Sequence, residues 1–255
     1  MPKSSSEVEK GTVILHQFER ARTCPSPSPY PIKLETFLRM AKIKYVNDFK
    51  TPMSPKGKCP WIALDGTDVA DSQLAMEHLK DHFQLDLSAH LSPEEKAINR
   101  GMRSILEDHL YFTTVMERWV FHKGKFAREI MAPLPAPKFL QGLIISSVCR
   151  NLKKQCVAQG LGRHTQAELE KMTLEDVKCL SDYLGDKPYL MGDKPTEIDC
   201  VLFGFTCMAI YATPEHSSYH KCLMEDFQNL KLHNDRIKSE FWPDWDECKW
   251  IEKMS

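Results

Sequence analysis

The stretch Pro60-Trp-Ile-Ala-Leu-Asp-Gly-Thr-Asp-Val-Ala-Asp-Ser72 decides how the first part of the chain folds. Asp65-Gly66 separates two short apolar runs, Pro60 to Leu64 and Thr67 to Ala70. An Asp-Gly pair tolerates the backbone that a two-residue hairpin turn needs, so the runs read as antiparallel strands. Ser72 can then cap a helix that carries Ala75, Met76, Leu79 and Phe83 on one side. Upstream, Thr12 to Phe18 and Lys44 to Phe49 read as two further strands. Between them Ile32, Leu34, Phe37, Leu38 and Ala41 repeat at helical spacing. Pro25, Pro27, Pro29 and Pro31 keep the chain irregular until the last of them, which suits a first helical turn because its missing N–H is not needed there. Strand, helix, strand predicts a parallel pair with a crossover helix. With the hairpin, the reading is an α/β unit around a mixed four-stranded sheet.

From residue 91 the pattern changes. Ser92-Pro93-Glu94-Glu95 is a capping box with proline at the first helical position. Ile98, Met102, Ile105, His109, Phe112, Met116 and Trp119 follow at steps of three and four, as in a long amphipathic helix. Pro133, Pro135 and Pro137 break the chain. A helix from Lys138 to about Gln159 stops at Gly160 and Gly162. Thr165-Gln-Ala-Glu168 opens another, through Leu169, Val177, Leu180 and Leu184 to Gly185. Thr196-Glu-Ile-Asp199 is a looser cap before apolar Val201 to Ile210, and a last helix runs through Leu223, Phe227, Leu230, Ile237 and Phe241 to Pro243. The expected organisation is a disordered N-terminus at 1–11, an α/β domain at 12–88 and an all-α domain at 89–255.

The totals narrow the function classes. The chain has 255 residues, 42% of them hydrophobic, enough for a sizeable core, and a formal net charge of -1. No basic excess points to nucleic acid, and no long polybasic run points to an anionic membrane surface. No run approaches the roughly 18 apolar residues of a membrane span. The longest, Phe139 to Val148, is too short and contains Gln141, Ser146 and Ser147. Nine scattered cysteines without a C-x-x-C read as reduced thiols. The polar N-terminus lacks the apolar core of a signal peptide. A cytoplasmic protein is the expectation.

Three places could carry chemistry. Lys58-Cys59-Pro60-Trp61 precedes a strand. A trans proline at a turn is the ordinary reading; a cis bond would leave the N–H and C=O of Cys59 open to an extended peptide. Asp71-Ser72 opens a helix. One of the two caps it, and the free N–H groups there also attract a carboxylate, with Ser72 adding a donor and Asp71 an acceptor for an ammonium group. The loop Cys24 to Pro31 offers Ser28, Tyr30 and Cys24 at another helix N-terminus, where a developing anion is stabilised. Such a loop is usually only a loop. A Ser28 hydroxyl bonded to a bound thiol would favour the thiolate. His216 and His220, and His78 and His82, share a spacing of four, a weak metal signal without an accompanying motif, so no metal is expected. His109 reads as a hydrogen-bonded core histidine, Trp242-Pro-Asp-Trp245 as a packing clamp, and Arg20 and Arg22 as solvated charges more readily than anion contacts.

Ser28-Pro-Tyr-Pro-Ile-Lys-Leu-Glu-Thr-Phe-Leu-Arg-Met40 resembles the first helix of the failed-axon-connections and metaxin branch of the glutathione transferase superfamily. Gly57 to Ile62, Gly160 to Arg163, Leu184 to Lys187, Ile198 to Gly204 and Phe241 to Trp245 extend the likeness over residues 12 to 245. The resemblance implies a thioredoxin-like N-terminal domain, a glutathione-transferase-like helical domain, and a cis Pro60. It further implies glutathione as co-substrate, held by the backbone of Cys59 before Pro60 and by Asp71 and Ser72, with Ser28 in the activating position. A small apolar electrophile would then be conjugated or isomerised in a second pocket between the domains, lined by Met102, Ile105, His109 and Phe112. The alternative is a non-catalytic adaptor, in keeping with relatives implicated in axon development and organelle import. Redox-active relatives carry cysteine where Ser28 stands, so dithiol chemistry is not expected. Metaxin-like relatives carry a C-terminal anchor that this chain lacks, so no membrane span is expected. Dimers are common in this fold, which leaves a homodimer open.

Overall fold

The computed structural model describes residues 8–131 and 136–251, without the side chains of 126–128 and 138. Met1 to Glu7, Pro133 and Pro135 therefore lie outside the described residues.

Four short strands form one sheet: β1 (Val13–His16), β2 (Tyr45–Asp48), β3 (Trp61–Leu64) and β4 (Thr67–Ala70), in the order β2-β1-β3-β4. β1 and β2 are parallel, joined through α1 (Pro29–Met40), whereas β1–β3 and β3–β4 are antiparallel. Asp65 and Gly66 close the hairpin at φ 47° and 86°, the left-handed pair that a type I′ turn requires. α1 starts at Pro29, two residues earlier than the prolines suggest. Pro29 and Pro31 both fall within the first three helical positions, whose N–H groups have no partner inside the helix in any case.

α2 (Ser72–Phe83) is capped by Asp71 rather than Ser72: its carboxylate accepts from the N–H of Gln73 at 3.0 Å and of Leu74 at 3.2 Å. α3 (Pro93–Ser104) begins with the expected box, Ser92 and Glu95 bonding reciprocally. The long helix is not uniform. Ile105–Leu110 is a π turn, α4 (Tyr111–Val115) follows, and Met116–Phe121 is a second π turn. α5 (Lys125–Ile130), α6 (Lys138–Gln159), α7 (Gln166–Leu184), α8 (Glu197–Tyr211), α9 (Ser218–Lys221) and α10 (Gln228–Phe241) complete the helical part. Thr165 and Glu168 form the second box. At the third, Asp199 accepts from the Thr196 N–H and hydroxyl, and also from Leu190 N–H and His233 Nε2, so one buried carboxylate ties α8 to α10 and to the preceding loop.

α1 is apolar on nearly every side and is buried between the sheet and α8. The contact is close at Gly204, where an added Cβ would lie 2.6 Å from the Pro29 carbonyl oxygen. Trp242 and Trp245 pack on Phe203, Trp242 Nε1 donates to Thr36 Oγ1 at 3.1 Å, and the Arg39 guanidinium lies over the Trp242 ring, so the clamp reading describes this segment.

Candidate functional site

The strand register gathers four chain segments at one end of the sheet. His16 at the end of β1 pairs with Trp61 at the start of β3, which pairs with Ala70 at the end of β4. Cys59-Pro60, Asp71-Ser72 and the loop that leaves β1 for α1 therefore share one edge. Lys33 on α1 reaches Gln73 on α2 at 2.8 Å, which links the two helices close to their starts.

The peptide bond between Cys59 and Pro60 is cis, as is that between Ala70 and Asp71. Among the described residues, neither the N–H nor the C=O of Cys59 makes a main-chain hydrogen bond. An extended peptide beside residue 59 has both groups to pair with. Burial pushes the Cys59 thiol up to about 12, so its side chain is no nucleophile at neutral pH. Ser72 is the first residue of α2, 4% exposed. Its hydroxyl forms no hydrogen bond among the described residues, and Asp71 has spent one carboxylate oxygen, Oδ1, on the cap.

Ser28 is the N-cap of α1, half-buried, and its side chain makes no capping bond. Its hydroxyl thus stands at the positive end of a helix without an internal partner. The two other candidates of this loop are otherwise engaged. Cys24 is buried, donates to the Ser26 carbonyl at 3.1 Å, and is pushed up to about 11 by burial. The Tyr30 hydroxyl donates to the Glu107 carbonyl, and burial pushes its pKa well up. Arg20 is neither solvated nor free for an anion: it makes a two-pronged pair with Glu35 at 2.7 and 2.8 Å. Arg22 donates to the Met131 carbonyl and lies over Trp250.

The second-pocket group is not assembled. Met102 is 9% exposed inside the core of the helical part, and Ile105 packs beside that core. His109 turns to α7, with Nδ1 2.6 Å from the Asp176 carboxylate, and so is bonded as expected but half-exposed rather than in a core. Phe112 packs with the cluster around Cys156 and Leu161. The face turned to α1 carries Glu107, Tyr111 and Arg118 instead. Tyr111 meets the Tyr30 ring, Glu107 accepts from Lys33 Nζ at 2.6 Å, and Arg118 donates to the Pro27 carbonyl at 3.2 Å. The π turns explain the slip. Each accommodates an extra residue, which rotates the stripe away from regular spacing of three and four.

Sequence reasoning also missed Lys33 and Arg118. Lys33 is fully buried, and burial lowers its pKa against the pull of Glu107. The signal was present: α1 is apolar all round, so any charge on it must be buried and paired. Arg118 is buried with no carboxylate bonded to it among the described residues; its other contact is Met208 Sδ, and its Nε has no partner. Its positive charge lies directly behind the residue before Ser28. No group of three or more histidine, cysteine, aspartate or glutamate side chains able to hold a metal exists among the described residues.

Comparisons with known proteins bear on this arrangement. Residues 29–124 match the glutathione S-transferase N-terminal domain family, and residues 173–237 the glutathione S-transferase C-terminal domain family. Failed axon connections of Drosophila melanogaster is 31% identical over 251 residues, covering 94% of this chain; the chain spans 60% of that relative's length. Isoprene-epoxide–glutathione S-transferase of Rhodococcus sp. (strain AD45) is 31% identical over 196 residues, 70% of this chain and 79% of that one. Among solved structures, the beta-etherase LigF from Sphingobium sp. strain SYK-6 superposes with a TM-score of 0.63 at 17% identity, over 92% of this chain and 98% of that one, a likeness of fold alone. With both family domains matched in order, and a transferase relative matched over most of its length, the chain belongs to the glutathione S-transferase family.

Proposed function

We propose that this chain binds glutathione along the sheet edge and activates its thiol for attack on a small apolar electrophile. The cysteinyl part pairs with the Cys59 main chain, and the γ-glutamyl end takes the Ser72 hydroxyl, the α2 N-terminus and the free oxygen of Asp71. Ser28 donates a hydrogen bond to the sulfur. The thiol proton passes to solvent, the thiolate forms a bond to an electrophilic carbon, and the leaving group departs or an epoxide ring opens. One observation carries the reading: the Ser28 and Ser72 hydroxyls and the Cys59 backbone all lack internal partners at one edge of the sheet. An adaptor that uses the same fold for protein contacts is the second reading. It is favoured by the 31% identity to failed axon connections along 94% of the chain.

Calorimetric titration with glutathione separates the two. Heat of binding below millimolar ligand is expected, and its absence favours the adaptor. Ser72→Ala should weaken binding by about 1–2 kcal/mol, the worth of a hydrogen bond to a charged group. Ser28→Ala should leave affinity nearly unchanged but raise the pKa of the bound thiol by about 1–2 units, read from thiolate absorbance against pH, with conjugation of a chloronitrobenzene falling in step. Equal losses of binding and conjugation would remove Ser28 from the activating role.

A further inference from the structure

The longest apolar run of the sequence, Phe139 to Val148, is not in a core. It forms the first half of α6, and Phe139 and Leu143 are 77% and 66% exposed, with Leu140, Ile144 and Val148 exposed beside them. The helix is held along one edge only. Ile145 and Cys156 face inward, and Ile145 sits so close to Gly124 that a Cβ there would be 2.6 Å from it.

The outer side changes character along its length. After the apolar half come Arg150, Lys153 and Lys154, all exposed and none in an ion pair among the described residues. Lys138 to Gln159 contains no aspartate or glutamate, in a chain whose net charge is -1. Ten helical residues extend about 15 Å, about half of a hydrocarbon core of roughly 30 Å. No helix among the described residues is long and apolar enough to cross a membrane. The run is instead the right length to enter one leaflet.

We propose that α6 is a docking surface for an anionic lipid membrane, with its apolar half among the acyl chains and Arg150, Lys153 and Lys154 on the headgroup phosphates. An exposed apolar face beside unpaired bases is the chemistry by which interfacial helices hold such surfaces. A second copy of the chain is the poorer occupant, because this helix has no acid to meet its own bases.

Vesicle co-sedimentation of the full chain tests this, with phosphatidylcholine alone and with phosphatidylserine added. Binding to the anionic vesicles only is expected, weakening as salt is raised. Phe139→Glu with Leu143→Glu should lower the partition at least tenfold (an order of magnitude set by losing two buried apolar side chains). Lys153→Gln and Lys154→Gln should each cost about fivefold. All four side chains are exposed, so the fold should survive, which circular dichroism and a thermal melt would verify. Equal binding to both vesicle types, or a glutamate pair that binds as well as the parent, overturns the proposal. So does a lipid-free dimer in sedimentation velocity that the glutamate pair dissolves, which would make the face a contact between copies.

Discussion

Glu35 shows how much one residue of α1 organises. Its carboxylate is fully buried and accepts from Gln17, Arg20, Tyr45 and Asn47, with Arg39 nearby. Burial alone would raise its pKa, but the Arg20 guanidinium and its other donors hold it below the usual carboxylate range. Removing one partner of a buried pair leaves the other charge uncompensated. Glu35→Ala should therefore destabilise the fold by about 3–5 kcal/mol, seen as a lower urea midpoint; a loss under about 1 kcal/mol would mean that the cluster contributes little. At this scale the sequence was only partly legible. The cap at 71–72 could be narrowed to two residues, because both types cap helices, but choosing Asp71 needed the backbone. The buried charges Lys33, Glu35 and Arg118 were invisible to a search for apolar stripes, since their partners lie far along the chain.

At the scale of elements, what was read well was local. The hairpin, the boxes at Ser92 and Thr165, and the glycine stops at 160 and 185 each declare themselves within four residues. What was misread depended on phase. A strict 3.6-residue period places Met102, Ile105, His109 and Phe112 on the functional face, whereas two π turns bring Glu107, Tyr111 and Arg118 there. The approach of α8 to α1 was likewise not derivable from spacing, although Gly204 inside an otherwise bulky apolar helix hinted at it. Gly204→Ala would force its Cβ to within 2.6 Å of the Pro29 oxygen, beside Ser28. We expect a loss of about 1–3 kcal/mol, as for overpacking elsewhere, together with weaker glutathione binding. An unchanged melting temperature would show that α8 can retreat at no cost.

At the scale of the molecule, the C-terminal segment clasps the N-terminal domain. Arg39 bonds Asp244 at 2.5 and 3.0 Å and the Phe241 carbonyl, while Trp250 N–H donates to the Ala21 carbonyl at 2.8 Å. The Arg39 guanidinium holds the Asp244 carboxyl down to about 2. A depressed folded value means that the stabilisation is fully present above the ordinary aspartate pKa of about 4 and is lost as pH falls through about 2. Acidification over that window should loosen Trp242 and shift tryptophan emission, and Asp244→Asn should show the loosened emission already at neutral pH. An Asp244→Asn chain with the parent's acid profile would remove this pair from the clasp.

The widened turns at 105–110 and 116–121 also constrain how the gene can vary. Loss of a single codon in either would restore a regular turn and swing everything beyond it by about 100°. Loss of one between 105 and 110 would turn Tyr111 away from Tyr30 and bring the Glu117 carboxylate round toward the Pro27 oxygen, setting acceptor against acceptor. Insertions and deletions in relatives should therefore spare this helix even where its side chains differ freely.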